Sequence, residues 1–186
     1  MDALTDSHGP IWQGAAVLVV DNEAVMRSLV RRTLEAEDFQ VEEAEDGESA
    51  LALIQSRGAP FDLVLTDLSM PGIDGRQLSE TLARYRPGVA VLCMSANPDA
   101  VPLINPSDTP VRVMLKPFTP AALYHAVRDA ITRSSDLIAS AEDEIVQAHA
   151  GLSRLATALE ASRTMRGETL DLVVAARDLR ETRRPE

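Results

Sequence analysis

Several polar side chains stand where apolar runs stop. Phe61, Leu63, Val64 and Leu65 form a short run that ends abruptly at Asp67, and such a run reads as a strand buried on both faces of a parallel sheet. Ala16 to Val20 runs into Asp21, Asn22 and Glu23; Val89 to Met94 runs into Ser95; Val111 to Leu115, broken only by Arg112, runs into Lys116 and Pro117. If these are parallel strands, their ends open on one edge, where open α/β folds place ligands. An acid cluster, a second acid, a hydroxyl and an ammonium then converge in one cleft. Lys116 is the only lysine beside seventeen arginines, so the one compact ammonium falls at the end of a buried strand. Pro71-Gly72 and Asp74-Gly75 follow Asp67 and put its carboxylate on a turning loop at the mouth of the sheet.

The elements that must position these groups alternate along the chain. After the first run, Val25, Met26, Leu29, Val30, Thr33 and Leu34 recur at helical spacing, with Asp21 or Asn22 placed to cap the start. Phe39 to Glu43 reads as a short strand, Asp46-Gly47 turns into a helix near Glu48 to Gln55, and Leu78, Leu82 and Tyr85 give a further helix its inner face. The βαβαβαβ order demands a parallel sheet. Between Asn97 and Pro110, where another helix belongs, prolines stand at 98, 102, 106 and 110, and an interior proline costs a helix about 3 kcal/mol. At most one or two helical turns fit there. Thr119-Pro120 then starts a helix with a cap and a first-position proline.

The stretches VVDNE at 19–23, AEDGESAL at 44–51, TDLSMPGIDG at 66–75, SA at 95–96 and KPF at 116–118 resemble the receiver domain of two-component response regulators. The resemblance covers about Ala16 to Arg133, and its ordered set of strand-end motifs is more specific than any one of them. It implies a flavodoxin-like, doubly wound five-stranded parallel sheet of order 2-1-3-4-5. It further implies that Asp67 takes a phosphoryl group from a phosphohistidine of a sensor histidine kinase, the domain catalysing its own phosphorylation and dephosphorylation. Asp21 with Asn22, the carboxylate of Asp67 and the backbone carbonyl of Ser69 match the family's Mg2+ ligands, oxygen donors of the kind this hard cation prefers. Lys116 matches the residue that pairs with the acyl phosphate, and Ser95 the hydroxyl that bonds a phosphoryl oxygen. Such transfer needs an in-line nucleophile, a cation on the phosphoryl oxygens and fixed donors for the developing charge. Two departures stand out. The family has two acids where this chain has Asp21 and Asn22, which predicts weaker metal binding unless Glu23 compensates, and Val113 replaces the aromatic that turns inward on switching.

Formal charge is −11 over 186 residues, about −8 up to residue 135 and −3 beyond. Nucleic-acid affinity is dominated by cationic contacts to phosphate, so neither part reads as a nucleic-acid binder. No apolar run approaches the ~20 residues that span a bilayer, and the expectation is a cytoplasmic protein without a membrane partner. Cys93, the sole cysteine, lies within an apolar run and reads as a buried thiol. Residues 1–13 read as a loose lead-in, 14–133 as the receiver, and 134–186 as a helical extension continuous with the last receiver helix.

In that extension Ile131, Ile138, Ile145, Leu152 and Leu159 recur every seven residues, with Val127, Ala141, Ala148 and Leu155 on companion positions, the pattern of a coiled-coil seam. Gly167 reads as a turn into a second amphipathic helix carrying Leu170, Val173, Val174 and Leu179. A hairpin this thin cannot bury its stripe alone, so homodimerisation through 134–186 is the expectation. An alternative takes the extension as a histidine phosphotransfer-like bundle acting through His149. His8 and His125 read as incidental.

Overall fold

The computed structural model describes residues 12–99 and 112–181. Residues 1–11 of the expected lead-in, with His8, and the prolines at 102, 106 and 110 therefore lie outside the described residues, whereas Trp12, expected in that loose lead-in, packs against the core. Five strands, β1 (Ala16–Val20), β2 (Gln40–Ala44), β3 (Leu63–Asp67), β4 (Ala90–Ser95) and β5 (Arg112–Leu115), form one parallel sheet in the order β2-β1-β3-β4-β5. Helices α1 (Ala24–Glu35), α2 (Gly47–Ser56) and α3 (Gly75–Tyr85) return the chain between successive strands, and α4 (Pro120–Glu181) follows β5.

Both faces of the sheet are covered, which is why its central strands read as continuous apolar runs. Val17, Val19, Leu63, Leu65, Leu92 and Met94 pack with Val30 and Leu34 of α1 and with Leu123, Val127 and Ile131 of α4. The alternate residues Leu18, Val20 and Val64 pack with Ala50 of α2 and with Leu78 and Leu82 of α3. The register Val17↔Leu63 and Leu63↔Ala90 sets β1, β3 and β4 side by side, so their carboxyl ends reach one edge together. Local capping fixes the helix starts on that edge. Asp46 accepts from Ser49 N at 2.7 Å, Asp74 from Gln77 N at 2.8 Å, and Thr119 Oγ1 from Ala122 N at 3.2 Å.

Some expectations are corrected. Glu23, not Asp21 or Asn22, holds the N-cap position of α1 and makes no side-chain cap bond, because the Asp21 carboxylate is drawn into the cleft. Tyr85 is 77% exposed; it ends α3, where the helix runs out before its ring can reach the sheet. Val127 and Ile131 are buried in the core, so the free part of the seven-residue seam begins at Ile138. No turn forms at Gly167, and α4 passes through it. A helix-interior glycine costs only about 1 kcal/mol relative to alanine, which flanking Arg166 and Glu168, both good helix formers, readily offset. The chain divides into two compact units, one through Ile138 and one from Ala139 onward. None of the described helices is long and apolar enough to cross a membrane.

Candidate functional site

Asp67 closes β3 with only 6% of its surface exposed, and Asp21, directly after β1, is fully buried. Two carboxylates this deep need compensation, since an unpaired buried charge is strongly disfavoured. Lys116, one residue beyond β5, supplies it: its Nζ lies 2.8 Å from Asp21 Oδ2 and 2.9 Å from Asp67 Oδ1. Burial works to lower the Lys116 pKa, but the hydrogen bonds and charges of Asp21 and Asp67 outweigh it and hold the pKa above the usual lysine value. One ammonium against two carboxylates leaves one net negative charge in the cleft.

The backbone holds each of these groups in place. Lys116 N donates to Ser95 O at 2.8 Å and Leu68 N to Met94 O at 2.9 Å, tying the ends of β5 and β3 to β4. Asp21 is fixed from several directions: Oδ1 accepts from Glu23 N at 2.8 Å and the main-chain carbonyl accepts from the Arg27 guanidinium at 2.6 Å. Asp67 is shaped by Gly75 at the start of α3. A Cβ there would meet the Asp67 carbonyl carbon at 3.0 Å and Leu68 Cα at 3.1 Å, so only glycine lets the loop after β3 close this tightly.

The structure brings Asp21, Asp67 and Lys116 into direct contact. Ser95 is buried at the end of β4, but its hydroxyl donates to Asn97 O at 3.1 Å and accepts from Asn97 N at 3.0 Å. Asn22 and Ser69 are exposed on the loops after β1 and β3. Among the described residues no three of His, Cys, Asp and Glu are grouped to hold a metal by themselves. The donor set still suits a small hard cation: two carboxylates, the Asn22 amide oxygen and the Ser69 carbonyl are all oxygens, and the net negative charge favours a cation over none. Arg27 is the functional neighbour that sequence patterning missed. It sits at a helical position with no motif around it, and its contact is to a main-chain carbonyl.

Elsewhere, Cys93 is buried beneath the cleft and its thiol is pushed up to about 12 by burial, then by the charges of Asp67 and Asp74. Such a thiol is unreactive at neutral pH. His149 is exposed on α4 with Nδ1 3.0 Å from Ile145 O.

A five-stranded doubly wound sheet with an acid pair and a lysine at its carboxyl edge defines an open α/β domain with its candidate site where such folds place ligands. Residues 17–128 match the response regulator receiver domain, and the chain belongs to that family. It is 32% identical over 120 residues to the transcriptional regulatory protein ResD of Bacillus subtilis, covering 64% of this chain and 49% of ResD. It is 33% identical over 132 residues to the transcriptional regulatory protein GlrR of Escherichia coli, covering 69% of this chain and 28% of GlrR. This chain thus spans about half the length of the first and less than a third of the second. The crystal structure of a receiver domain protein from Clostridium thermocellum superposes with a TM-score of 0.61 at 25% identity, over 66% of this chain and 98% of that one.

Proposed function

We propose that this chain is a response regulator in which Asp67 accepts a phosphoryl group from the phosphohistidine of a sensor histidine kinase, with output through α4. The single observation that carries this reading is the Lys116 ammonium bridging Asp21 and Asp67 at the carboxyl edge of the sheet.

The reaction follows from that arrangement. Asp67 Oδ1 is paired with Lys116; the other carboxylate oxygen, Oδ2, is the nucleophile. It attacks phosphorus in line with the scissile P–N bond, the imidazole nitrogen leaves with the bonding pair, and an acyl phosphate forms on Asp67. Lys116 then shifts its pairing from the carboxylate to the new phosphoryl oxygens, which carry the larger charge. Ser95 donates its hydroxyl to a phosphoryl oxygen, giving up its bond to the Asn97 carbonyl. That exchange passes the state of Asp67 to the loop after β4. Asp21, Asn22, Asp67 and the Ser69 carbonyl would hold Mg2+, which when bound neutralises charge on the transferring group. Water attack on phosphorus returns Asp67 to its carboxylate.

The tail supplies the output surface. Ile138, Ile145, Leu152, Leu155 and Leu159 are 39–70% exposed on α4, and a stripe of that kind is stable when covered. A second copy of the chain, pairing through α4, covers it. The His149 imidazole is engaged with a carbonyl of its own helix, which favours this reading over phosphotransfer through the tail. Incubation with acetyl phosphate and Mg2+ should add one phosphoryl group per chain by intact mass, and chelation of the metal should suppress it. Equal incorporation after chelation would overturn the metal assignment. Incorporation of none in either case would overturn the acceptor.

A further inference from the structure

Asn22 occupies the turn between β1 and α1, and both peptide units that bound it are engaged. The carbonyl of the Asp21–Asn22 peptide accepts from Arg27 Nη1 at 2.6 Å, and the N–H of the Asn22–Glu23 peptide donates to Asp21 Oδ1 at 2.8 Å. Arg27 N in turn donates to Glu23 O at 3.0 Å, so Asp21, Glu23 and Arg27 close a ring of hydrogen bonds around Asn22. With both flanking peptides held, the direction in which the backbone launches the Asn22 side chain is set.

Helix energetics do not favour Arg27 where it stands. It is the fourth residue of α1, at the end of a helix whose partial positive charge disfavours a cation. What the position supplies is a short, charge-assisted bond to the Asp21 carbonyl, of a kind roughly twice as strong as a neutral one. The Asp21 carboxylate has other anchors, in Lys116 Nζ at 2.8 Å and the Glu23 N–H; the orientation of the Asp21–Asn22 peptide rests on the guanidinium. Orientation matters most for an amide. A carboxylate offers a cation two oxygens and a full charge, whereas an amide offers one oxygen and no net charge, so turning Asn22 away forfeits the ligand.

We propose that Arg27 is a positioning residue for the cation site: by pinning the Asp21–Asn22 peptide, it aims the Asn22 amide oxygen toward a cation held beside Asp21. The role rests on the reading that Asp21, Asn22, Asp67 and the Ser69 carbonyl hold a divalent metal. It carries a sign that charge alone would not give. A guanidinium acting only through its charge weakens cation binding nearby, whereas a positioning guanidinium strengthens it.

Binding of Mn2+, an oxygen-seeking stand-in for Mg2+, to the full chain is read from the EPR signal of the free ion, and urea unfolding in metal-free buffer shows that each variant is folded. Arg27→Met removes the donor, and the Kd should rise about tenfold, as when a group that orients a metal ligand is lost. Arg27→Lys keeps the charge and a donor and should recover most of that loss. Arg31→Met removes an equal charge one turn further along α1, where Arg31 pairs with Glu35 at 3.0 Å on the surface; solvent screens it, and the Kd should move by less than about twofold. In an Asn22→Ala background, Arg27→Met should add less than about twofold, because the residue through which it acts is gone. Unchanged or tighter binding in Arg27→Met overturns the proposal, as does an equal loss in Arg31→Met or a loss that simply adds in the double variant. In each of those cases binding by the parent leaves the cation site standing. A parent chain that binds no Mn2+ overturns the cation reading and the positioning role with it.

Discussion

Lys116 follows β5 and Asp67 ends β3, with β4 between them, yet the lysine Nζ lies 2.9 Å from the aspartate Oδ1. The ammonium spans a whole strand because Asp21 and Asp67 together leave it nowhere better to go: the two carboxylates are buried, and the only lysine in the chain reaches both.

Replacing Lys116 with methionine strands two buried carboxylates. Breaking a buried pair by deleting one partner costs on the order of 3 kcal/mol, and urea unfolding in metal-free buffer should show a loss of that size. A variant as stable as the parent would mean that the bridge carries no net stabilisation.

The same pair has a pH signature. The Lys116 pKa is raised in the folded state, so its contribution is fully present below the unfolded lysine value of about 10.4 and is lost as pH rises through the higher folded value. The stability difference between parent and Lys116→Met should stay constant up to about pH 10.4 and shrink above it. A difference that shrinks in mildly acidic solution instead would assign the effect to another group.

Asn22→Asp adds a carboxylate on the loop beside Asp21. Charge count tunes affinity at oxygen-ligand sites, so Mg2+ should bind several-fold more tightly, measured by titration of intrinsic fluorescence or by calorimetry. Equal or weaker binding would place residue 22 away from the metal.

Gly75→Ala forces a Cβ into the Asp67 carbonyl, where even 3.0 Å to its carbon leaves no room. The expected cost is about 1–3 kcal/mol from overpacking, with slower phosphorylation because the acceptor moves. Gly58→Ala is the control: nothing lies within 4 Å of a Cβ there, and its stability should change by less than about 0.5 kcal/mol.

The cleft was legible in the sequence because β1, β3 and β4 are buried on both faces, so each apolar run stops at the residue that first meets the open edge; β5, expected as a buried strand, is instead an edge strand with Leu115 44% exposed, and Lys116 follows its shorter apolar run. Asp21, Asp67 and Lys116 announce themselves by that contrast. Arg27 does not, since a side chain bonded to a main-chain carbonyl leaves no periodic trace. Val127 and Ile131 satisfied two patterns at once, the inner face of a receiver helix and a seven-residue seam, and only the packing under the sheet decides between them. Gly167 misled for a related reason: glycine permits a turn without requiring one. Tyr85 fell on the inner spacing of α3 but at its last residue, where periodicity no longer says what lies beneath.

The central claim is that Asp67 carries the phosphoryl group, and label transfer from acetyl phosphate with Mg2+ tests it most directly. An acyl phosphate is cleaved by hydroxylamine, so the label on the parent chain should be released by that treatment, and Asp67→Asn should take up none. Hydroxylamine-resistant label on the parent, or undiminished label on Asp67→Asn, would contradict the account.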